Sequence, residues 1–268
     1  MTYIISARMR ASPDELRSLF KQAFEACGYD FGGYEVAAEM VVWSQMHGFN
    51  IFPAIQECLL PMAQNSLSPK VLLDEPHKLI FDNQGHSVLV SASQIVNLAC
   101  AKAMQRGFCV LQVENCEHPV MLAKLLYDSN NFGLHAYAYW YQAQTQQTLE
   151  LRTDDQQPCP ELRYYSNVGG DSSTSCDSSV SGLDPGQLNI IFSRQDHVDG
   201  AELFADRNKL FENAQLDRRL TPKYFVQHYQ QSLDLGIEIE ASLWQRLLDI
   251  SAEVLVESTE QSRQGAGS

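Results

Sequence analysis

The chain has 268 residues, of which 33 are acidic and 19 are lysine or arginine, so its formal net charge is −14. A surface of this sign repels phosphate backbones and anionic lipids, which argues against nucleic-acid and membrane partners. Hydrophobic residues make up 44% of the chain, enough for a sizeable core, so wholesale disorder is excluded.

Residues 1–68 predict an N-terminal helical segment. Ser12-Pro13-Asp14-Glu15 is typical of a helix start with a capping box, and apolar residues recur on one helix face as far as Gly28. Further helical patterns cover residues 34–47 and about 51–63. With no secretory signal pattern and no apolar run long enough to span a membrane, we expect a soluble, cytoplasmic protein.

Residues 69–192 predict an α/β region. Two short apolar runs, residues 78–81 and 87–90, flank Asp82-Asn83-Gln84-Gly85, which predicts a β-hairpin. The elements predicted after it are a helix from Ser93 to Gly107, a strand over 108–113, a helix over 119–127, and strands over 134–141 and 188–192. This alternation indicates a sheet with helices packed against it.

Residues 166–187 form a serine-rich stretch with almost no apolar side chains, which is typical of a loop. From 193 to 268 the pattern is largely helical, and we expect this segment to pack with residues 1–68. The predicted helices there cover 201–211, 222–233 and 242–256. The predicted fold class is therefore α+β: an N-terminal helical layer, a central mixed or antiparallel sheet flanked by helices, and C-terminal helices that return to the N-terminal layer.

The seven cysteines are scattered and contain no CxxC pair, so we expect buried, reduced thiols and no metal site. Cys116 differs from the others because it lies two residues before His118 at the end of a predicted strand. A hydrolase built on these two residues is one hypothesis, and it requires a lowered pKa of the Cys116 thiol.

Two histidines are placed where ligands commonly bind. His47 ends a predicted helix immediately before Gly48, where the chain can turn and present the imidazole to a cleft. His118 follows a predicted strand and opens a helix, and strand ends in layered folds are frequent binding positions. An imidazole there can exchange a proton with a substrate oxygen.

At these two positions the sequence resembles the second type of malate/L-lactate dehydrogenase, a family that includes ureidoglycolate and sulfolactate dehydrogenases. Met46-His47-Gly48 resembles the family's Ser-His-Gly, and the segment from Asn115 to His118 resembles its Asn-x2-His after a strand. The helix before that strand, with Ala99, Ala103 and Gly107, is also similar. Residues 255–268 resemble the C-terminal end of an uncharacterised bacterial domain family that shares this N-terminal half. That family resembles a divergent and shortened relative of the dehydrogenases.

The resemblance implies that His118 and His47 are catalytic, that Asn115 and Arg263 bind the substrate, and that NAD or NADP supports reduction of a small 2-oxo or imino acid in a homodimer. The chain departs from the family at Met46, in place of a serine, and at two further positions. Ile51 stands where an arginine should grip a carboxylate, Ile55 replaces a tyrosine, and the cofactor-binding segments are not recognisable. The alternative is a non-catalytic metabolite-binding or assembly protein on the same scaffold.

Overall fold

The computed structural model describes residues 8–59, 68–154, 156–169, 183–194 and 203–252. Most of the serine-rich stretch and the C-terminal residues 253–268, which include Arg263, lie outside the described residues. The chain divides into two compact units, one made of residues 1–67 and 227–268, the other of residues 68–226. Among the described helices, none combines the length and the apolar character needed to cross a bilayer.

The first unit contains helices and a two-stranded antiparallel sheet. Its elements are β1 (Arg8–Ala11), α1 (Pro13–Ala26), α2 (Gly33–Met46), α3 (Phe52–Cys58), the residues of α7 (Pro222–Leu235) from 227 onward, β10 (Ile237–Glu240) and α8, helical over residues 241–252. β1 pairs with β10. At the start of α1 the Ser12 hydroxyl accepts the Glu15 N–H, and the Glu15 carboxylate accepts the Ser12 N–H, so the predicted capping box is confirmed.

Apolar side chains spaced three and four residues apart explain why α1 is stable in the first unit. Leu16, Phe20 and Phe24 are fully buried on one helix face. The Phe20 ring packs against Phe24 and against Phe52 at the start of α3, with centroid distances of 5.8 and 5.9 Å. This aromatic contact fixes the beginning of α3 beside α1.

The second unit is built on a mixed sheet. Its elements are β2 (Lys70–Asp74), β3 (Lys78–Asp82), α4 (Val88–Arg106), β4 (Phe108–Glu114), α5 (Ala123–Asp128), β5 (Leu134–Gln142), β6 (Gln147–Arg152), β7 (Glu161–Ser166), β8 (Leu188–Arg194), α6 (Ala205–Leu210) and β9 (Gln215–Leu220). The strand order is β2-β3-β4-β8-β5-β6-β7-β9, and among these described strands only β3 and β4 pair in parallel. The predicted α+β class, a mixed sheet flanked by helices, is confirmed.

The β3–α4–β4 connection explains the parallel pair. Ala92, Ile95 and Ala99 of α4 are buried along one helix face, and α4 packs on β4. Because α4 returns the chain to the starting end of the sheet, β3 and β4 run in the same direction and end at the same edge.

One prediction about an individual element was wrong, and several strands were not predicted. The apolar run 87–90 is not a hairpin strand but the first turn of α4, capped by the Ser87 hydroxyl, which accepts the Leu89 N–H. A short apolar run cannot be distinguished from a buried helix start by periodicity alone. The sequence pattern did not predict β1, β2, β6, β7, β9 or β10. In β9 the residues are largely exposed, so the strand needs no alternating apolar pattern.

Candidate functional site

The parallel strands β3 and β4 end side by side in the second unit. Asp82, the last residue of β3, is opposite Glu114, the last residue of β4. Asn115 and His118 follow β4 directly, so they lie at this edge together with the loop after Asp82. The carboxyl ends of parallel strands, where loops leave the sheet, are the usual position of ligand sites in layered folds.

Hydrogen bonds join the two loops at this edge. The Asn83 N–H donates to the Glu114 carbonyl at 2.8 Å, and the Gly85 N–H donates to the Asn115 carbonyl at 2.9 Å. The buried Asn83 side chain accepts the Ser91 hydroxyl of α4 at 2.5 Å. The loops therefore form one rigid element, fixed on both strands and on the helix.

Three non-glycine residues at this edge adopt left-handed backbone conformations. The φ angles are 55° at Gln84, 49° at Asn115 and 57° at His118. An L-residue in this region carries a steric cost, and such residues concentrate at binding and catalytic sites, where the surrounding structure holds them. We define Asp82, Gln84, Asn115 and His118 as the strand-end site.

The Asp82 carboxylate is the charged group of the strand-end site. Its Oδ1 accepts hydrogen bonds from the Asn115 side-chain amide and from the Gln84 N–H, both at 2.8 Å. These two donors, with a smaller contribution from Lys70, lower the pKa of Asp82 from its ordinary value. Asp82 is therefore ionised at neutral pH and presents a negative charge at the same edge of the sheet as the loop that carries the half-buried His118.

Cys116 does not take part in this arrangement. Its side chain is only 3% exposed, and burial raises the pKa of the thiol to about 12. A thiol of this pKa is neutral at physiological pH and is a poor nucleophile. Burial of the Cys116 side chain therefore disfavours the hypothesis of a hydrolase built on Cys116 and His118.

His47 lies in the first unit and is buried between two aromatic rings. Its imidazole stacks on Trp43 and on Tyr229, with centroid distances of 3.9 and 4.9 Å. Nδ1 is 2.7 Å from the Trp43 carbonyl oxygen, which can only accept, so Nδ1 carries the hydrogen. Because His47 and His118 belong to different units, a shared role for them stays a prediction.

Ile51 and Ile55 are part of the apolar core of the first unit. They stand where the resemblance leads us to expect an arginine and a tyrosine. Ile51 is 2% exposed and Ile55 is fully buried. Neither side chain can bind a carboxylate. A cleft of about 440 Å³ in the same unit is lined by Gln45, Asn50 and Phe52, among others, and its Arg8 is paired with Glu238 at 2.6 Å.

A nicotinamide dinucleotide requires a cradle for its pyrophosphate, often the free N–H groups at the start of a helix. The start of α4, at the strand-end site, does not offer such free N–H groups to a pyrophosphate. The Val88 N–H donates to the Glu117 carbonyl, the Leu89 N–H to the Ser87 hydroxyl, and the Val90 N–H to the Ser87 carbonyl. Within the described ranges, no cluster of three or more His, Cys, Asp or Glu residues could hold a metal ion.

The structure brings together part of the predicted site and adds to it. Asn115 is hydrogen-bonded to Asp82, and His118 lies on the same loop, as expected from their spacing. Asp82 and Gln84 were missed, since their segment was predicted to be a hairpin turn. An indication was present in the strong helix pattern after Ser93, because a helix between two strands predicts a parallel pair with both carboxyl ends together.

The fold is that of several solved dehydrogenases and reductases. Malate dehydrogenase from Pyrococcus horikoshii OT3 superposes with a TM-score of 0.60 at 12% identity, covering 95% of this chain and 98% of that one. Sulfolactate dehydrogenase from Methanocaldococcus jannaschii gives 0.59 at 12% identity, covering 91% and 97%. Delta1-piperideine-2-carboxylate reductase from Pseudomonas syringae pvar. tomato gives 0.58 at 14% identity, covering 90% and 99%.

Sequence comparisons match a smaller part of the chain than the structural comparisons do. Residues 11–78 match the profile of a family described as a protein of unknown function, DUF3726. No curated protein matches the chain. At identities this low, the similarity to the solved structures establishes a dehydrogenase-like scaffold.

Proposed function

We propose that this chain is a metabolite-binding protein on a dehydrogenase-like scaffold, and that it holds a small imino or 2-oxo acid at the strand-end site. The observation that carries the proposal is the ionised Asp82, fixed by Asn115 and Gln84 at the ends of two parallel strands, where the loop that carries His118 also begins. A fixed charge on a rigid loop can orient a small polar ligand at little entropic cost.

The charge of the site favours the imino acid over the 2-oxo acid. A carboxylate attracts a protonated nitrogen and repels a second carboxylate. Lys70, the register neighbour of Asp82 in β2, is a nearby cation that could pair with the acid group of either ligand, so it does not discriminate between them. The ligand nitrogen would therefore face Asp82, and the His118 imidazole would donate or accept a hydrogen bond on the same loop.

Reduction of the same ligand by NADH or NADPH is the second candidate function. The similarity to a malate dehydrogenase, a sulfolactate dehydrogenase and an imino-acid reductase over at least nine-tenths of each chain favours it. The N–H groups at the start of α4 already donate hydrogen bonds within the protein, and Ile51 stands where the resemblance leads us to expect an arginine that binds the acid group. Both observations disfavour reduction, so we propose ligand binding as the first function and reduction as the second.

Thermal unfolding of the full chain with single additives separates the two functions. L-proline, which carries a secondary ammonium, should raise the melting temperature of the wild-type protein more than pyruvate does, and Asn115→Ala should remove that rise. Stabilisation by NADH or NADPH, together with loss of nicotinamide absorbance when a 2-oxo or imino acid is added, would establish the reductase instead. No response to L-proline or pyruvate would refute the proposed site.

A further inference from the structure

One face of the sheet in the second unit carries charged side chains in two adjacent rows. In the first row, the register neighbours across β5, β6, β7 and β9 are Tyr139, Glu150, Arg163 and Arg219. In the second row, the neighbours across β5, β6 and β7 are Tyr137, Arg152 and Glu161. Residues two apart along a strand point to the same face, so both rows share one surface.

The buried base of this surface is the Glu150 carboxylate, which has no solvent exposure. Its Oε1 accepts a hydrogen bond from Arg207 Nε at 2.9 Å and another from Nη2 of the same guanidinium. Its Oε2 accepts from Arg152 Nε at 2.8 Å and from the Tyr165 hydroxyl at 3.3 Å. A buried charge held in this way fixes the position of the arginines around it.

A second carboxylate, Glu161, holds the two remaining arginines. Its Oε2 accepts from Arg219 Nε at 2.8 Å, and its Oε1 accepts from Arg163 Nε. Four arginines therefore share the two carboxylates Glu150 and Glu161. Together with Asp154, which lines a cleft on the same surface, these side chains carry one net positive charge in a chain whose net charge is −14. Guanidinium groups ordered in advance lose little side-chain entropy when they bind a ligand.

Three of these arginines, Arg152, Arg163 and Arg219, line a cleft of about 320 Å³. Arg219 is 52% exposed, and the Arg152 guanidinium lies over the Tyr137 ring, 5.4 Å from its centroid. Within the described part of the chain, no oxygen accepts a hydrogen bond from Nη1 of Arg152 or of Arg219. Asp154 also lines the cleft, where its Oδ1 accepts the Gln156 N–H.

We infer that this arginine cleft binds a phosphate group, either free or as a small phosphate monoester. Phosphate offers several acceptor oxygens to guanidinium groups arriving from β6, β7 and β9, and arginine is the residue best suited to such paired hydrogen bonds. Tyr137 supplies an aromatic wall for an organic substituent on the phosphate.

The arginine cleft is separate from the strand-end site, and the inference does not rest on the proposed function. Tyr137 pairs with Ile191 of β8, and Ile191 pairs with Val110 of β4. Val110 lies four residues before Glu114, where β4 ends beside Asp82. The cleft therefore lies several strands away from Asp82 and does not border the edge occupied by His118.

Calorimetric titration of the full chain with inorganic phosphate, against chloride at equal ionic strength, tests the inference. We expect saturable binding to the wild-type protein, weakened about tenfold or more in Arg219→Gln, since a hydrogen bond from a charged group contributes roughly that factor. Arg218→Gln is the matched control, because Arg218 lies on the same strand and faces Tyr164 outside the cleft. Arg152→Gln is a second cleft variant should Arg219→Gln misfold.

Phenyl phosphate and malonate, titrated in parallel, identify the source of the anion. Tighter binding of phenyl phosphate than of inorganic phosphate would assign a phosphate monoester, and the reverse order would assign free phosphate. Binding of malonate without binding of either phosphate would overturn the inference. So would an absence of saturable phosphate binding, or an equal loss of binding in Arg218→Gln and Arg219→Gln.

Discussion

Single residues with unusual backbone conformations locate the strand-end site. Gln84, Asn115 and His118 all adopt positive φ, and each lies in one of the two loops joined by hydrogen bonds at the ends of β3 and β4. Asparagine and histidine adopt this conformation more often than most other non-glycine residues, but Asn115 and His118 still carry the Cβ that glycine lacks. Because positive φ at a non-glycine residue has an energetic cost, these positions are candidates for a functional role.

Substituting His118 by alanine and by glycine separates the side chain from the backbone. Both variants should lose the response to L-proline, because both lack the imidazole. His118→Gly should be more stable than His118→Ala by up to about 1 kcal/mol, since glycine adopts positive φ without a Cβ clash. Urea denaturation and thermal shifts measure the two effects, and a full L-proline response in both variants would remove His118 from the site.

Gly48, immediately after His47, tests how tightly the buried histidine region of the first unit is packed. Gly48 and Gly28 both have positive φ after a helix end, but a Cβ at Gly48 would lie 2.7 Å from Cγ of His228, whereas a Cβ at Gly28 would meet nothing within 4 Å. Gly28→Ala should cost about 1 kcal/mol of unfolding free energy from the backbone alone. Gly48→Ala should cost at least about 1 kcal/mol more from overpacking, and equal urea midpoints would contradict this.

At the scale of elements, the sequence predicted several helices and strands in which the spacing of apolar residues agrees with the positions that are buried in the structure. β4, with alternating buried positions, β5, and the capped start of α1 were predicted close to their observed bounds. β9 was missed because an exposed edge strand needs no apolar alternation, and the start of α4 was taken for a strand because its first turn is buried. The same error concealed Asp82 as a site residue. A hairpin would have placed Asp82 in a turn, whereas the helix α4 places it at the end of a strand that is parallel to β4.

Ser12 provides a test at this scale, because the capping box fixes the start of α1. Ser12→Ala removes the hydroxyl that accepts the Glu15 N–H and should lower the free energy of unfolding by about 1 kcal/mol. Ser242→Ala, at an exposed position in α8 whose hydroxyl contacts Glu240 at 3.4 Å, is the control and should change it by less than about 0.5 kcal/mol. Equal effects of the two changes on the urea midpoint would show that the cap is not stabilising.

At the scale of the whole molecule, buried thiols link stability to pH. Burial raises the pKa of Cys100 and Cys116 to about 12 and of Cys109 and Cys159 to about 11, from an ordinary value of 9.0. Above pH 9.0 the unfolded chain releases these protons while the folded chain keeps them, so the free energy of unfolding should fall as pH rises toward 11. Urea midpoints that are equal at about pH 8 and about pH 10 would contradict this.

The dehydrogenase-like scaffold extends over nearly the whole chain, and at these low identities it establishes the fold alone. Ile51 and Ile55 are buried core residues, and the first N–H groups of α4 are hydrogen-bonded to Glu117 and Ser87. The predicted homodimer and the predicted contribution of Arg263 stay predictions, which sedimentation analysis of the full chain and of a truncation after Val256 would test. The described residues form a hydrogen-bonded site around the ionised Asp82 at the ends of β3 and β4.

The most direct test of that site is calorimetric titration of L-proline into the wild-type protein and into Asp82→Asn. We predict saturable binding to the wild type and a loss of about tenfold or more in Asp82→Asn, since the ammonium would lose its charged partner. Asp217→Asn, which removes the same charge from β9, should bind L-proline as the wild type does. Equal affinity of the wild type and Asp82→Asn would contradict the proposal that Asp82 binds the ligand.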